Sequence, residues 1–293
     1  MAEDRRFAPP KAAFAPPRAA FVPAGAAFGS SGMAGHVVVV GNLKGGSGKS
    51  TLVINLASAL AEVGRRVAIL DCDPQGTASA WASRGHAAVP VRFEPLRNLN
   101  GTGSWLVTAG EMRRGVDVLL IDLPGVVAPA MGAAFLIASL ILIPVAPQAV
   151  DVEGTRRVMA HLDKARAERP QAPPQALLVP VRVRELERGL VPWQDILESL
   201  GLPMTPPLRH QVAFDRAFEE GRWVGERFPG SDAHREVQAV ARRVLDELDR
   251  AVAPPAFGLA HPRPARELQL AEAPAGFDHS GARRPWWRRV LGG

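Results

Sequence analysis

The sequence has little cysteine and no long apolar run, and both absences restrict what the chain can be. Its single cysteine, Cys72, rules out a disulfide framework and any paired-cysteine zinc or iron–sulfur site within one chain. No stretch reaches about 18 uninterrupted apolar residues, so a membrane-spanning helix is not expected. Prolines close to the N-terminus would break an apolar signal helix, so we expect no secretory signal and a cytoplasmic location.

The middle of the chain also lacks the strong basic charge that the whole sequence suggests. The formal net charge of the 293 residues is +6. Residues 1–35 carry four basic and two acidic side chains, and residues 251–293 carry six basic and three acidic ones. The two segments contribute +2 and +3, which leaves a net charge of +1 for the middle. A DNA-binding surface on the middle part would therefore have to be a local patch of arginines.

Two segments rich in proline and alanine flank the rest of the chain. In the first, Phe-Ala-Pro-Pro repeats place a phenylalanine at every seventh position, and the prolines forbid a continuous helix. We predict a disordered tail over residues 1–35, a folded domain over 36–251, and a linker with a basic, Trp-containing tip over 252–293. The repeats are either short docking motifs or an inert tail.

Apolar runs rich in β-branched residues alternate with helical segments between the two tails. Buried strands are predicted over residues 37–41, 67–71, 116–122, 140–145 and 175–181. Helices are predicted over residues 50–63, 130–138, 150–168, 193–200, 214–220 and 232–251. Such alternation requires crossover connections. We therefore predict an α/β fold with a mostly parallel, doubly wound sheet flanked by helices.

A glycine-rich loop separates the first predicted strand from the first predicted helix. Its backbone N–H groups and the helix N-terminus would hold phosphate groups, and glycines would let the phosphates approach closely. Lys49 would reach the β- and γ-phosphates, the Ser50 hydroxyl would bind Mg²⁺, and Thr51 would touch the α-phosphate. The predicted ATP-binding residues are Lys44, Gly45, Gly46, Ser47, Gly48, Lys49, Ser50 and Thr51.

Three carboxylates follow the second and third of the predicted strands. Carboxyl ends of parallel strands carry the ligand sites of open sheets. Asp73, in the segment LDCDPQG, would orient the attacking water and contact the water shell of the metal, whereas Asp71 would brace the next turn. Asp122 ends the run VDVLLID and has the form of a Walker B metal ligand.

The motifs KGGSGKST, LDCDPQG and LLIDLPG, in this order, resemble those of the ParA/MinD family of deviant Walker A ATPases over about residues 36–250. The resemblance implies a P-loop NTPase fold, with an ATPase domain over residues 36–251 that forms a homodimer on ATP. It makes Lys44 the signature lysine that reaches the partner's ATP. It also implies a ParB-like or adaptor protein that stimulates hydrolysis. Two segments depart from the patterns common in this family. Residues 122–125 read Asp-Leu-Pro-Gly where Asp-x-Pro-Pro is commoner, and residues 179–182 read Val-Pro-Val-Arg at a strand end that often reads Asn-Arg.

Such a dimer would bind and release one of two kinds of surface during its ATP cycle, either DNA or a membrane. ParA-like members bind nonspecific DNA through basic residues, for which the candidates are Arg182, Arg184, Arg209, Arg216 and Arg222, and they are associated with the nucleoid. MinD-like members bind the membrane peripherally through a C-terminal helix, which the terminal segment PWWRRVLGG resembles. A small-molecule phosphotransferase or synthetase and a nucleotide-binding scaffold without turnover remain as further alternatives. The cargo is not readable from the sequence.

Overall fold

The computed structural model describes residues 35–251, apart from residues 85–86, 88, 97–102, 126–128 and 185–191. The predicted terminal tip and nearly all of the predicted first tail lie outside the described residues. The described residues all belong to one compact unit of the chain. None of the helices among them is long and apolar enough to cross a membrane.

A parallel sheet of seven strands lies at the centre of this unit, with the order β3-β2-β4-β1-β5-β6-β7. Every residue of β2, β4 and β5 is buried, because helices cover both faces of the sheet and leave no solvated side for polar residues. The strands are β1 (His36–Val40), β2 (Val67–Asp71), β3 (Val91–Phe93), β4 (Val118–Asp122), β5 (Leu140–Val145), β6 (Gln175–Val183) and β7 (Leu208–Arg209).

Helices connect the strands and pack on the two faces of the sheet. They are α1 (Lys49–Glu62), α2 (Thr77–Ala82), α3 (Ser104–Met112), α4 (Pro129–Ile137), α5 (Ala149–Glu168), α6 (Trp193–Glu198), α7 (Val212–Glu219), α8 (Val224–Arg227) and α9 (Asp232–Leu248). The last helix begins with a capped turn, because the Ser231 side chain accepts a hydrogen bond from the backbone N–H of His234.

Two hydrophobic cores result, one on each face of the sheet. The first joins the sheet to α1, α2, α8 and α9 and contains the fully buried Trp81. The second joins the sheet to α3, α4, α5 and α6 and contains the fully buried Phe135. Burying a side chain of this size contributes about 2–3 kcal/mol, so each face is held mainly by apolar contact.

The predicted fold class is confirmed, and the sheet is parallel throughout its described strands. Strands β2 and β5 have the predicted bounds, and the other predicted elements are displaced by one to three residues at an end. The short elements β3, α2, α3, β7 and α8 were not predicted. They have two to nine residues each, too few to show a clear hydrophobic period.

The strand order brings the predicted site together at one edge of the sheet. From β1 the chain passes to β2 and β3 on one side, and later to β5, β6 and β7 on the other. The loop after β1 therefore lies at a topological switch point, where ligands of open parallel sheets bind. The carboxyl ends of β2 and β4, which carry Asp71 and Asp122, pair with each other next to β1.

Candidate nucleotide-binding site

The glycine-rich loop between β1 and α1 is shaped around open space. Gly46 and Gly48 have φ angles of +70° and +83°, in the left-handed region that glycine adopts without strain. A Cβ atom added to Gly45, Gly46 or Gly48 would meet no other atom within 4 Å. The loop therefore leaves room for a group that must approach the backbone closely, as a phosphate does at a helix N-terminus.

Lys49, the first residue of α1, is buried at the edge of this space. Its Nζ donates a hydrogen bond to the carbonyl oxygen of Lys44, at a distance of 3.2 Å. Burial lowers the pKa of Lys49, while the nearby carboxylates of Asp122 and Asp73 act in the opposite direction. A phosphate would replace the carbonyl as a stronger, charged acceptor for the same ammonium group.

The early lysine of the loop points away from this space. Lys44 Nζ lies 2.8 Å from Oδ1 of Asp151, in the first turn of α5, and its side chain is 43% exposed. Asp151 is only 3% exposed, so the ion pair joins a solvent-facing lysine to a buried carboxylate. Asn42 supports this arrangement, because its Oδ1 accepts from the Lys44 N–H and its Nδ2 donates to the Pro144 carbonyl.

Asp122 is fully buried at the end of β4, and neither of its carboxyl oxygens has a partner with good hydrogen-bond geometry among the described residues. Burial raises the pKa of Asp122 to about 8, and the charge of Asp71 adds to the effect, whereas the nearby Ser50 hydroxyl and Lys49 lower it. A buried carboxyl group beside a serine hydroxyl fits the sparse oxygen ligation that Mg²⁺ accepts when phosphates supply other ligands. No group of three or more His, Cys, Asp or Glu side chains in the described part of the chain could hold a metal ion.

The two aspartates after β2 have different surroundings. Oδ2 of Asp71 accepts hydrogen bonds from both the backbone N–H and the hydroxyl of Ser79, each at 2.8 Å. Asp71 therefore braces α2 against β2, as expected. Asp73 is half-buried, and its carboxylate accepts a hydrogen bond from the Gln75 N–H at 2.9 Å. It lines the same cleft as the glycine-rich loop, so its second oxygen is available to a ligand.

Two clefts meet at the N-terminus of α1. The first, of about 610 Å³, contains the glycine-rich loop, Asp73 and the Pro124-Gly125 turn after β4. The second, of about 710 Å³, runs between α6, α7 and the loop before α5 and is bordered by Trp193 and Phe214. Gly48, Thr51 and Arg182 line both clefts. A nucleotide could thus place its phosphates in the first cleft and its base in the second.

The five arginines predicted to bind DNA are not equivalent. Arg209 forms an ion pair with Glu236, and Arg222 forms one with Glu226. Arg182, Arg184 and Arg216 are exposed and form no ion pair with any other described residue. Three of the five, Arg182, Arg184 and Arg209, line the second cleft.

Sequence reasoning missed several residues that support the site. Asn42 and Asp151, the two partners of Lys44, carry no motif signal of their own. Gly125 was recorded only as a departure from Asp-x-Pro-Pro. A Cβ there would lie 3.0 Å from the Gly45 nitrogen and 3.1 Å from Lys49 Nζ. Such contacts depend on the meeting of distant segments, which no local pattern reports.

This loop, set at a switch point of a parallel sheet with an acidic residue at the end of the adjacent strand, defines a P-loop nucleotide-binding protein. The model of the CobQ/CobB/MinD/ParA nucleotide-binding domain matches residues 38–224, and the chain belongs to that family. It is an ATPase of the ParA/MinD type, as its motifs predicted.

Curated relatives agree with this placement. The chain is 34% identical over 220 residues to the maintenance of carboxysome distribution protein A of Gloeobacter kilaueensis, which covers 73% of this chain and 94% of that protein. It is 32% identical over 156 residues to the chromosome-partitioning ATPase Soj of Thermus thermophilus, covering 44% of this chain and 62% of Soj.

Solved structures show the same fold at lower identity. An ATP complex of McdA from Cyanothece aligns with a TM-score of 0.59 at 15% identity, over 74% of this chain and 98% of that one. A chain of the MinC:MinD complex of Aquifex aeolicus also aligns with a TM-score of 0.59, at 19% identity, over 72% of this chain and 96% of that one.

Proposed function

We propose that this protein is a Mg²⁺-dependent positioning or partitioning ATPase that dimerises on ATP and binds DNA without sequence specificity. The observation that carries the proposal is Lys44, an early loop lysine that does not line its own phosphate cleft and whose partly exposed side chain pairs with Asp151 instead. A lysine in that place is suited to a phosphate on another subunit. The relatives named for carboxysome distribution and for chromosome partitioning support the same class of activity.

Different residues of the chain have different roles in the proposed reaction. The glycine-rich loop and Lys49 hold the phosphates, Ser50 and Asp122 hold Mg²⁺, and Asp73 orients the attacking water. Bound Mg²⁺ would neutralise charge on the phosphates. Lys44 of the other subunit adds a positive charge at the transferred phosphoryl group, so a full set of charges exists only in the dimer. Hydrolysis is then slow in the monomer, and we propose that a ParB-like or adaptor protein accelerates it.

DNA binding in this proposal rests on exposed arginines that lack an intramolecular partner. Arg182, Arg184 and Arg216 meet that condition among the described residues. Arg209 and Arg222 would first have to leave Glu236 and Glu226. A dimer doubles the number of available arginines, and contacts to phosphates need no base reading. Binding should therefore be weak, sensitive to salt and dependent on ATP. Such a protein would associate with the nucleoid.

The two ends of the chain are proposed to lie outside the ATPase domain of residues 36–251. Residues 1–35, with their Phe-Ala-Pro-Pro repeats, would contact a partner or cargo. Residues 252–293 end in the basic tip with Trp286 and Trp287, which would contact a partner protein or an anionic membrane surface. The cargo is a plasmid, a chromosome region or a large protein assembly.

Retention of the full chain on immobilised random-sequence DNA tests the proposal, with ATP compared with ADP at low and at physiological salt. Retention that needs ATP, falls with salt and disappears in Lys44→Ala is the expected result. If DNA never retains the protein, while vesicles containing anionic lipid retain it with ATP, the DNA-cycling function is wrong and the membrane alternative replaces it. If a small acceptor molecule is phosphorylated instead, the protein is a phosphotransferase.

A further inference from the structure

The residue with the least usual backbone in the described part of the chain is Arg182, near the end of β6. Its φ angle is +53°, and among the described residues it alone has a positive φ without being glycine. The β6–β7 register explains the position: Val181 pairs with Leu208 and Val183 with Arg209, so Arg182 is the extra residue of a bulge. Bulge positions with left-handed backbone usually hold glycine, because a side chain there causes strain.

Strain of this kind persists where the surrounding structure fixes it, and it concentrates at ligand sites. Val181 and Val183, on either side, are buried in the sheet and hold the bulge in place. Arg182 lines both clefts, and so do Gly48 and Thr51, which places these three residues where the two clefts adjoin. Its guanidinium forms no hydrogen bond or ion pair with another described residue.

We propose that Arg182 is a nucleotide-binding residue of its own subunit, whose guanidinium binds the phosphate chain at the end nearest the base. Three observations support this role: the glycine-like backbone of Arg182, its unpaired guanidinium and its position where the two clefts adjoin. Thr51, which shares that junction, lies in the first turn of α1, where the helix N-terminus already favours a phosphate. A planar guanidinium opposite that turn would hold the same phosphate from the other side, with two parallel hydrogen bonds.

This role differs from the DNA contact that the sequence suggested for Arg182. The role rests on nucleotide binding alone and does not depend on DNA binding or on the kind of cargo.

Binding of a fluorescent ATP analogue (mant-ATP) and of mant-ADP to the full chain with Mg²⁺ tests the proposal. Arg182→Ala should weaken both by about tenfold or more, since a hydrogen-bonded charge is lost. The loss should be similar for both analogues, because the contact is on the base side of the chain of phosphates. Arg182→Lys should restore only part of the affinity, because an ammonium cannot form the two parallel bonds.

Arg157→Ala is the matched control. Arg157, on α5, is also exposed and forms no ion pair with another described residue, but it lines neither cleft. Its removal should leave both affinities within about twofold of the unmodified chain. Arg182→Gly keeps the left-handed backbone available, so it separates loss of the side chain from damage to the bulge. This variant should have an unchanged or higher Tm and still bind mant-ATP weakly.

Normal affinity of Arg182→Gly and Arg182→Ala for both analogues would overturn the proposal. So would a loss confined to mant-ATP, which would place the contact at the γ-phosphate. If the same variants bind both nucleotides normally but lose ATP-dependent retention on DNA, Arg182 is a DNA-contacting residue instead.

Discussion

Lys44 Nζ lies 2.8 Å from Oδ1 of Asp151 and 3.0 Å from its Oδ2, so the lysine proposed to act on a second subunit is held within its own. The carboxylate is buried in the first turn of α5, where the helix N-terminus favours its negative charge. This pair must break before Lys44 can reach a phosphate elsewhere. Asp151 therefore competes with the nucleotide of the partner subunit for the same ammonium group.

Asp151→Asn should make ATP-dependent dimerisation easier. The amide cannot balance the charge of Lys44, and a partly exposed pair of this kind contributes about 1 kcal/mol. Two such pairs break per dimer, so the dimer should appear at roughly thirtyfold lower protein concentration with ATP, measured by analytical ultracentrifugation. Glu153→Gln is the matched control, since this exposed residue of the same helix has no ion pair to another described residue. Dimerisation of Asp151→Asn at the same or a higher concentration would contradict the competition.

Lys44→Ala and Lys49→Ala should fail at different steps. Lys44 contributes to its own loop only through backbone groups, so Lys44→Ala should bind mant-ATP with normal affinity and remain monomeric. Lys49 is buried at the phosphate space, so Lys49→Ala should lose binding itself. Fluorescence titration and light scattering distinguish the two. A Lys44→Ala protein that still dimerises on ATP would show that the lysine acts within its own subunit.

We expect Asp73 to have a chemical role and Asp71 a structural one. Asp73→Asn should bind mant-ATP and dimerise but hydrolyse ATP about 100-fold or more slowly, because it no longer orients the attacking water. Asp71→Ala should instead unfold more easily by about 1–3 kcal/mol, since the Ser79 N–H and hydroxyl lose their shared acceptor. Phosphate release and thermal unfolding measure the two effects. Equal loss of activity and of stability in both variants would contradict this division.

Much of the fold could be predicted because its long elements carry strong local signals. The apolar runs of β2 and β5 gave the correct bounds of both strands, and the 17 residues of α9 show a clear helical period. The two-residue strand β7 offers no such pattern. It forms because β6 provides an edge to pair with, and that information lies outside its own residues.

The candidate site, too, could be predicted only in part. Residues 44–51 and the three aspartates follow from short motifs, since each motif sets a loop at the end of a strand. Asp151 is 107 residues from Lys44, and Gly125 is placed by the approach of one loop to another. The arginines were chosen by type alone, and their ion pairs with Glu236 and Glu226 require α9 and α8 to be in place.

The buried Asp122 should make the nucleotide-free protein less stable as the pH rises. In the folded protein its pKa is raised to about 8, whereas in the unfolded chain it ionises near pH 4. Between these values the folded state holds a proton that the unfolded state has released, so the free energy of unfolding decreases with pH. Asp122→Asn removes this effect. Its Tm in EDTA should exceed that of the unmodified chain by an amount that grows from pH 5 to pH 8, while its Mg²⁺-dependent ATPase activity is lost. A constant Tm difference across this range would mean that Asp122 is ionised throughout.

Gly125 should prove sensitive to even a single added methyl group. A Cβ at this position would lie 3.0 Å from the backbone nitrogen of Gly45 and 3.1 Å from Lys49 Nζ, closer than nearly all real contacts of such an atom. In Gly125→Ala the loop after β4 or the glycine-rich loop must shift, so affinity for mant-ATP should fall by about fivefold or more.

Gly125→Pro, which introduces the residue commoner in this family, should be affected at least as strongly, because the ring is larger than a methyl group. Gly132→Ala on α4 is the matched control, since a Cβ there meets no atom within 4 Å. Normal nucleotide affinity in Gly125→Ala would mean that the two loops move apart when ATP binds. The affinity of this variant therefore tests whether the turn after β4 stays against the phosphate loop in the ATP-bound state or leaves it.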